Sequence, residues 1–181
     1  MTNATPDLRQ NFFELFELPV SCAVDKKALR ARYMALQRQF HPDKYAAADA
    51  QHRRMAVQIA AHVNQAHDTL SDPLKCAEYC LQLQGVDIDA ETDSTMDTGF
   101  LMEQMEWREK LDDIDEADAG SAAALSELRT EIAGRIELIG SEAAEKLDQQ
   151  DTTGARALIR KWQFLFKIDR EAQAVGARLN A

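Results

Sequence analysis

The sequence predicts an all-α protein, an N-terminal helical hairpin followed by a C-terminal three-helix bundle. Three observations carry that expectation. Almost every long segment spaces its apolar residues with helical period, and almost none alternates with period two. The 181 residues are 45% apolar and 29% charged with only 7 Gly and 4 Pro, which provides for a core and excludes a disordered or collagenous chain. Charge also divides the molecule: residues 1–84 hold 10 Lys/Arg against 9 Asp/Glu, whereas residues 85–181 hold 11 against 22. The two parts must present different surfaces to solvent.

In chain order, Asn11 to Phe16 is a short apolar segment stopped near Pro19. Asp25 is an N-cap for a helix from Lys26 to about Phe40, in which Leu29, Tyr33, Leu36 and Phe40 form one buried stripe. His41-Pro42 ends it, because proline disfavours helical geometry in the residue before it. A second helix, from about Asp49 to Leu70, repeats the spacing at Ile59, Val63, Ala66 and Leu70, so the pair forms an antiparallel hairpin. Leu74 to Leu83 is a shorter helix ending near Gly85. The acidic stretch 85–98 is the connection, separating a first domain at 1–84 from a second at 99–181.

Three further helices follow. The first, about Asp97 to Asp115, turns Phe100, Trp107, Leu111 and Ile114 inward; the second, about Ser121 to Gln149, aligns Leu125, Leu128, Ile132, Ile136, Ile139 and Ala143. The third, about Thr152 to Leu179, has Leu158, Trp162, Leu165, Ala172 and Leu179 inward. Three stripes enclose one core. Gly134 and Gly140 lie inside the middle helix, where a bend or break is expected.

Several function classes fall away. No apolar run approaches the ~18 residues of a membrane span, and Met1 to Gln10 lacks a secretory pattern, so a cytoplasmic protein with no membrane partner is expected. Residues 86–118 carry 13 acids and 2 bases, which repel phosphate, so no nucleic-acid partner is expected for that half. Three cysteines fit reduced thiols. Cys76 and Cys80, at i and i+4, have a spacing that suits a metal, with His52, His62 or His67 as further ligands, but no second Cys pair accompanies them and Cys22 stands alone. They are read as packing residues, with no metal and no cofactor.

The chemistry-bearing segment is His41-Pro42-Asp43-Lys44, at the tip of the first hairpin. Pro42 fixes a torsion, Asp43 offers an acceptor-only carboxylate and His41 a donor. Lys27, Arg30 and Arg38 form a basic face beside it, suited to an acidic partner surface. With Tyr33, Leu36, Arg38 and Phe40 before the loop, and Asn64, Ala66, Leu70, Ser71, Asp72, Pro73, Lys75 and Tyr79 after it, this region resembles a J-domain, the module that activates DnaK-type ATPase chaperones. The resemblance implies that Lys27, Arg30, Arg38, His41, Pro42, Asp43 and Lys44 engage the ATPase near its interdomain linker and favour the hydrolysing state. Met34 departs from the pattern, since many J-proteins carry a basic residue there.

The glycine-rich and zinc-binding regions that accompany most J-domains are absent from the sequence. On a helical projection Leu101, Met102 and Met105 fall opposite the core face, together with Glu106, Glu109 and Asp113, and Phe164 lies off the inward stripe of the last helix near Arg160 and Lys167. Apolar surface facing water calls for a partner, with Met giving adaptable packing and a carboxylate rim giving selectivity. The whole chain from about Asn11 is similar to the branch of the J-protein family specialised for iron–sulfur cluster biogenesis. That similarity implies a co-chaperone without catalysis of its own, binding the cluster scaffold IscU through Leu101, Met102, Met105, Glu106, Glu109, Asp113 and Phe164 and presenting it to the chaperone HscA. A J-protein serving another client is the alternative. A hydrolase or metalloenzyme using His41 or the cysteines is the more distant one, since no nucleophile, phosphate loop or carboxylate pair accompanies them.

Overall fold

The computed structural model describes residues 7–88, 97–115, 118 and 120–179. Residues 89–96 of the expected connection therefore lie outside the described residues, which form seven α-helices and one 3-10 turn, with no strand. Contacts divide the chain into Met1–Cys80 and Leu81–Ala181.

In the first unit, α1 (Phe12–Leu15) begins with a reciprocal cap: the Asn11 side chain accepts from the Glu14 N–H at 2.9 Å, and the Glu14 carboxylate from the Asn11 N–H at 3.0 Å. It buries Phe13, Leu15 and the following Phe16, and the Phe12 ring stacks on Tyr79 at 4.5 Å. α2 (Lys26–Phe40) starts where Asp25 accepts from the backbone of Lys27 and Ala28; α3 (Ala50–Ser71) starts where Asp49 accepts from His52. Leu29 and Phe40 are buried while Tyr33 and Leu36 are half-buried, because Tyr33 uses its ring on His67, 4.0 Å away, and its hydroxyl on Asn64. Ile59, Val63, Ala66 and Leu70 of α3 face inward as the spacing predicts, joined by Ala56. α4 (Pro73–Leu83), whose last turn already belongs to Leu81–Ala181, carries Pro at its first position and closes on Gly85, whose φ of +81° is the left-handed geometry that glycine adopts without strain.

The second unit contains α5 (Thr98–Asp112), α6 (Ser121–Asp148) and α7 (Thr152–Leu179). Several expectations are corrected. α5 stops at Asp112 rather than running to Asp115, and Ile114 is only half-buried beyond its end; consecutive acids at a helix C-terminus oppose the helix dipole. On α7 the inward residues are Ala155, Ile159, Trp162, Leu165, Ile168, Ala172 and Val175, whereas Leu158 and Leu179 are half-exposed. Leu158 sits one residue, about 100° of helix, off that stripe. Ile136 of α6 is likewise half-buried.

No break occurs in α6. Gly140 is there for a different reason: a Cβ on it would lie 2.5 Å from Trp162 Cζ2, so glycine is what lets the α7 indole lie against the α6 backbone. Gly134 faces open space. The α6–α7 turn is fastened at Asp151, whose carboxylate accepts from the Gly154 N–H at 3.0 Å and pairs with Lys146 at 2.9 Å. Those two contacts, the backbone one first, hold its carboxyl below the usual range.

Two candidate contact surfaces

The first surface lies on the hairpin of unit one. His41 has φ −58° and ψ 127°, the extended geometry a residue before proline prefers, and Pro42–Tyr45 then coil as a 3-10 turn. The turn is internally braced: the Lys44 N–H donates to the His41 carbonyl at 3.0 Å, and the Asp43 N–H to His41 Nδ1 at 3.3 Å. The Asp43 carboxylate stays 90% exposed, 3.5 Å from the half-exposed His41 ring. An acceptor held at the tip of a braced turn is positioned for a partner's donors.

Lys27, Arg30, Met34 and Arg38 follow the i, i+3, i+7, i+11 spacing and so form one stripe of α2 leading to His41. All four are exposed. Among the described residues Lys27, Arg30, Arg38 and Lys44 make no ion pair, whereas neighbouring Arg32 is tied to Glu17. Met34 breaks the row of charge and, with Gln37, Arg38, His41 and Lys44, lines a shallow recess of about 410 Å³. The structure thus brings all the expected basic and loop residues to one edge of the hairpin.

The second surface is the outer face of α5. Its opposite side buries Phe100, Gln104, Trp107 and Leu111. One flank is locked to α6: Glu103 pairs with Arg135 at 3.2 Å, Lys110 with Glu131 at 2.7 Å, and the Trp107 indole N–H donates to Glu131 at 2.8 Å. The Lys110 ammonium first, and then that indole, hold the Glu131 carboxyl below its ordinary range. The other flank is held by α7, where Lys161 pairs with the N-cap Asp97 at 3.1 Å and lies 5.2 Å from the centre of the Phe100 ring. That pairing, with the Gly99 N–H, lowers the Asp97 carboxyl.

Between these flanks the helix faces solvent. Leu101, Met102 and Met105 are 40%, 60% and 71% exposed, a continuous apolar patch rather than scattered single residues. Glu106, Glu109 and Asp113 are exposed around it and make no side-chain hydrogen bond or ion pair among the described residues; Asp113 is the C-cap that ends the helix. Phe164 of α7 is half-buried, its ring edge-on to Phe100 at 5.9 Å. Arg160 and Lys167 stand at i−4 and i+3 from Phe164 on the same helix. The cation over its ring comes from another helix: the Arg108 guanidinium of α5 lies 5.7 Å from the ring centre, while Arg160 donates to the Ile88 carbonyl. No sequence pattern signals a contact between residues 56 positions apart on two helices.

Cys76 and Cys80 are buried in α4, Cys76 Sγ lying 3.8 Å from the Ser21 carbonyl. His52 contacts Asp49, His62 meets the Phe12 ring edge-on, and His67 stacks on Tyr33. Among the described residues no group of three His, Cys, Asp or Glu is placed to hold a metal ion.

Comparison with known proteins agrees with this architecture. Residues 96–173 match the family described as the HSCB C-terminal oligomerisation domain. A co-chaperone protein HscB homolog of Burkholderia multivorans is 44% identical over 174 residues, 95% of each chain; that of Burkholderia thailandensis is 42% identical, covering 95% of this chain and 97% of the relative. Among solved structures, the chaperone HscB from Vibrio cholerae superposes with a TM-score of 0.84 at 39% identity, covering 94% of this chain and 99% of the other. The human co-chaperone protein HscB superposes with a TM-score of 0.86 at 28% identity, covering 95% and 85%.

Proposed function

The chain belongs to the HscB family of co-chaperones, J-domain proteins of iron–sulfur cluster assembly, and from that premise we propose that it is an adaptor delivering the cluster scaffold IscU to the DnaK-type chaperone HscA. In this reading residues 1–84 dock on the chaperone, 85–98 connect, and 99–181 hold the scaffold. The observation that carries it is the α5 face: three large apolar side chains left in water, fringed by carboxylates with no ion pair in the described chain.

At the chaperone end, Lys27, Arg30, Arg38 and Lys44 steer the hairpin onto an acidic surface, and the turn presents His41, Pro42 and Asp43. Stimulation of hydrolysis follows if these residues bind the hydrolysing conformation of the ATPase more tightly than the resting one. At the scaffold end, Leu101, Met102, Met105 and Phe164 supply apolar contact while Glu106, Glu109 and Asp113 select a partner with basic residues around an apolar centre. The chain does no bond chemistry. Tethering two weak contacts raises the local concentration of scaffold beside chaperone. No helix among the described residues is long and apolar enough to cross a membrane, and we place this adaptor in the cytoplasm.

The test is a pair of binding titrations on the full chain, one with IscU and one with a permanently unfolded polypeptide. Saturable binding of IscU alone supports the proposal. Equal binding of both points to a general client-binding J-protein instead.

A further inference from the structure

The scaffold-binding reading leaves one residue of the same face without a role. Arg108 is exposed on α5, seven residues from Leu101 and three from Met105, so it borders the apolar patch on the side of α7. It is the one base among Glu106, Glu109, Asp112 and Asp113 on that face, the other base of the helix, Lys110, being engaged by Glu131. Asp112 stands at i+4 from Arg108, the ordinary place for a helical ion pair, yet no such pair forms. The guanidinium turns to the Phe164 ring, 5.7 Å from its centre, while Phe100 meets that ring edge-on at 5.9 Å and 82°. Two magnitudes explain the choice: an exposed helical ion pair contributes about 0.3–0.5 kcal/mol, a cation over an aromatic face about 0.5–1 kcal/mol. Phe164 thus has both the Arg108 guanidinium and the Phe100 ring against it in the free chain.

Resting on the scaffold-binding reading of this face, we propose that Arg108 is a positioning residue for the scaffold contact: its guanidinium fixes the Phe164 ring in the orientation that joins the Leu101, Met102 and Met105 patch. The sign of the effect separates this role from bulk electrostatics. A carboxylate-fringed face recruits a basic partner, so if Arg108 acted only by its charge, removing it would tighten binding. If it acts through Phe164, removing it weakens binding.

The experiment measures the dissociation constant of purified IscU for the full chain carrying Arg108→Ala, Arg108→Lys, Phe164→Leu and Arg108→Ala with Phe164→Leu, with far-UV circular dichroism confirming the fold of each. Arg108→Ala should weaken binding about two- to fivefold, the range an exposed cation–π contact spans, and Arg108→Lys should restore most of that loss. In the Phe164→Leu background the Arg108→Ala step should do nothing further. Unchanged or tighter binding by Arg108→Ala overturns the proposal, as does an equal loss in both backgrounds, which would mean direct contact with the scaffold. Leu101→Ala with Met105→Ala, run alongside, separates the two failures: if that pair is also silent, the scaffold does not use this face at all, whereas if it weakens binding while Arg108→Ala does not, only the positioning role falls.

Discussion

Truncating the apolar patch on α5 is the perturbation whose size follows most directly from the structure. Fully burying a Leu or Met side chain stabilises a complex by about 1.5–3 kcal/mol relative to leaving it in water. Met105 is 71% and Leu101 40% exposed in the free chain, so those fractions of the transfer energy remain to be gained on binding. The two side chains together then hold about 1.7–3.3 kcal/mol in reserve, and since alanine keeps roughly a third of the apolar surface, Leu101→Ala with Met105→Ala should lose about 1–2 kcal/mol of binding. That is roughly a five- to thirtyfold rise in the dissociation constant for IscU. Because folding already removes the remaining part of both side chains from water, the same variant should also lose about 1–2 kcal/mol of folding stability. Isothermal titration with IscU, paired with urea denaturation, reads both quantities. A loss below twofold with the fold intact would refute the assignment of this face, and a larger loss of stability would show that the side chains pack more than their exposure implies.

Two further outcomes test the framework behind the surface. Gly134→Ala should stabilise the second unit by about 1 kcal/mol through helix propensity, because the new methyl meets open space, whereas Gly140→Ala must displace the Trp162 ring. Overpacking costs of about 1–3 kcal/mol should place Gly140→Ala below Gly134→Ala by a similar margin, read by tryptophan fluorescence during urea unfolding, since Trp107 and Trp162 both lie in Leu81–Ala181; equal stabilities would contradict the close approach. Glu131 tests the clamp on α5. Its folded carboxyl is lowered by Lys110 and then Trp107, so its contribution is present above the ordinary glutamate range and is lost as pH falls through the folded value. The stability gap between the parent and Glu131→Gln should accordingly be open at pH 7 and close on acidification, and a gap that stays constant down to pH 3 would show that the pairing contributes nothing.

Features with a local physical cause were legible in the sequence. Asp25 and Asp49 each announce a helix start because a side-chain acceptor there satisfies backbone donors that have no other partner. The His41-Pro42 stop and the Gly85 closure rest on backbone sterics of single residues. The exposure of Leu101, Met102 and Met105 followed from the projection of one helix whose core face was already fixed by Phe100, Trp107 and Leu111.

What escaped the sequence depends on a second helix. Gly140 suggested a weak point, when its reason is an indole 22 positions further along the chain. The sequence does not distinguish Leu158 from its neighbour Ile159 on the α7 stripe, because both are large and apolar and only the packing of the bundle decides which turns inward. Phe164 stands out in the sequence as an aromatic off the inward stripe, but its neighbour Arg108 does not, since a charged residue on a polar face gives no sign of the ring above it.

Steady-state ATP turnover by HscA, measured alone, with this protein, and with this protein plus IscU, tests the adaptor account most directly. The account predicts a rise with the protein, a larger rise when IscU is added, and loss of both with Asp43→Asn, which keeps the shape of the turn but removes its exposed charge. Turnover that is unaffected by the protein, or stimulation that survives Asp43→Asn, would contradict it.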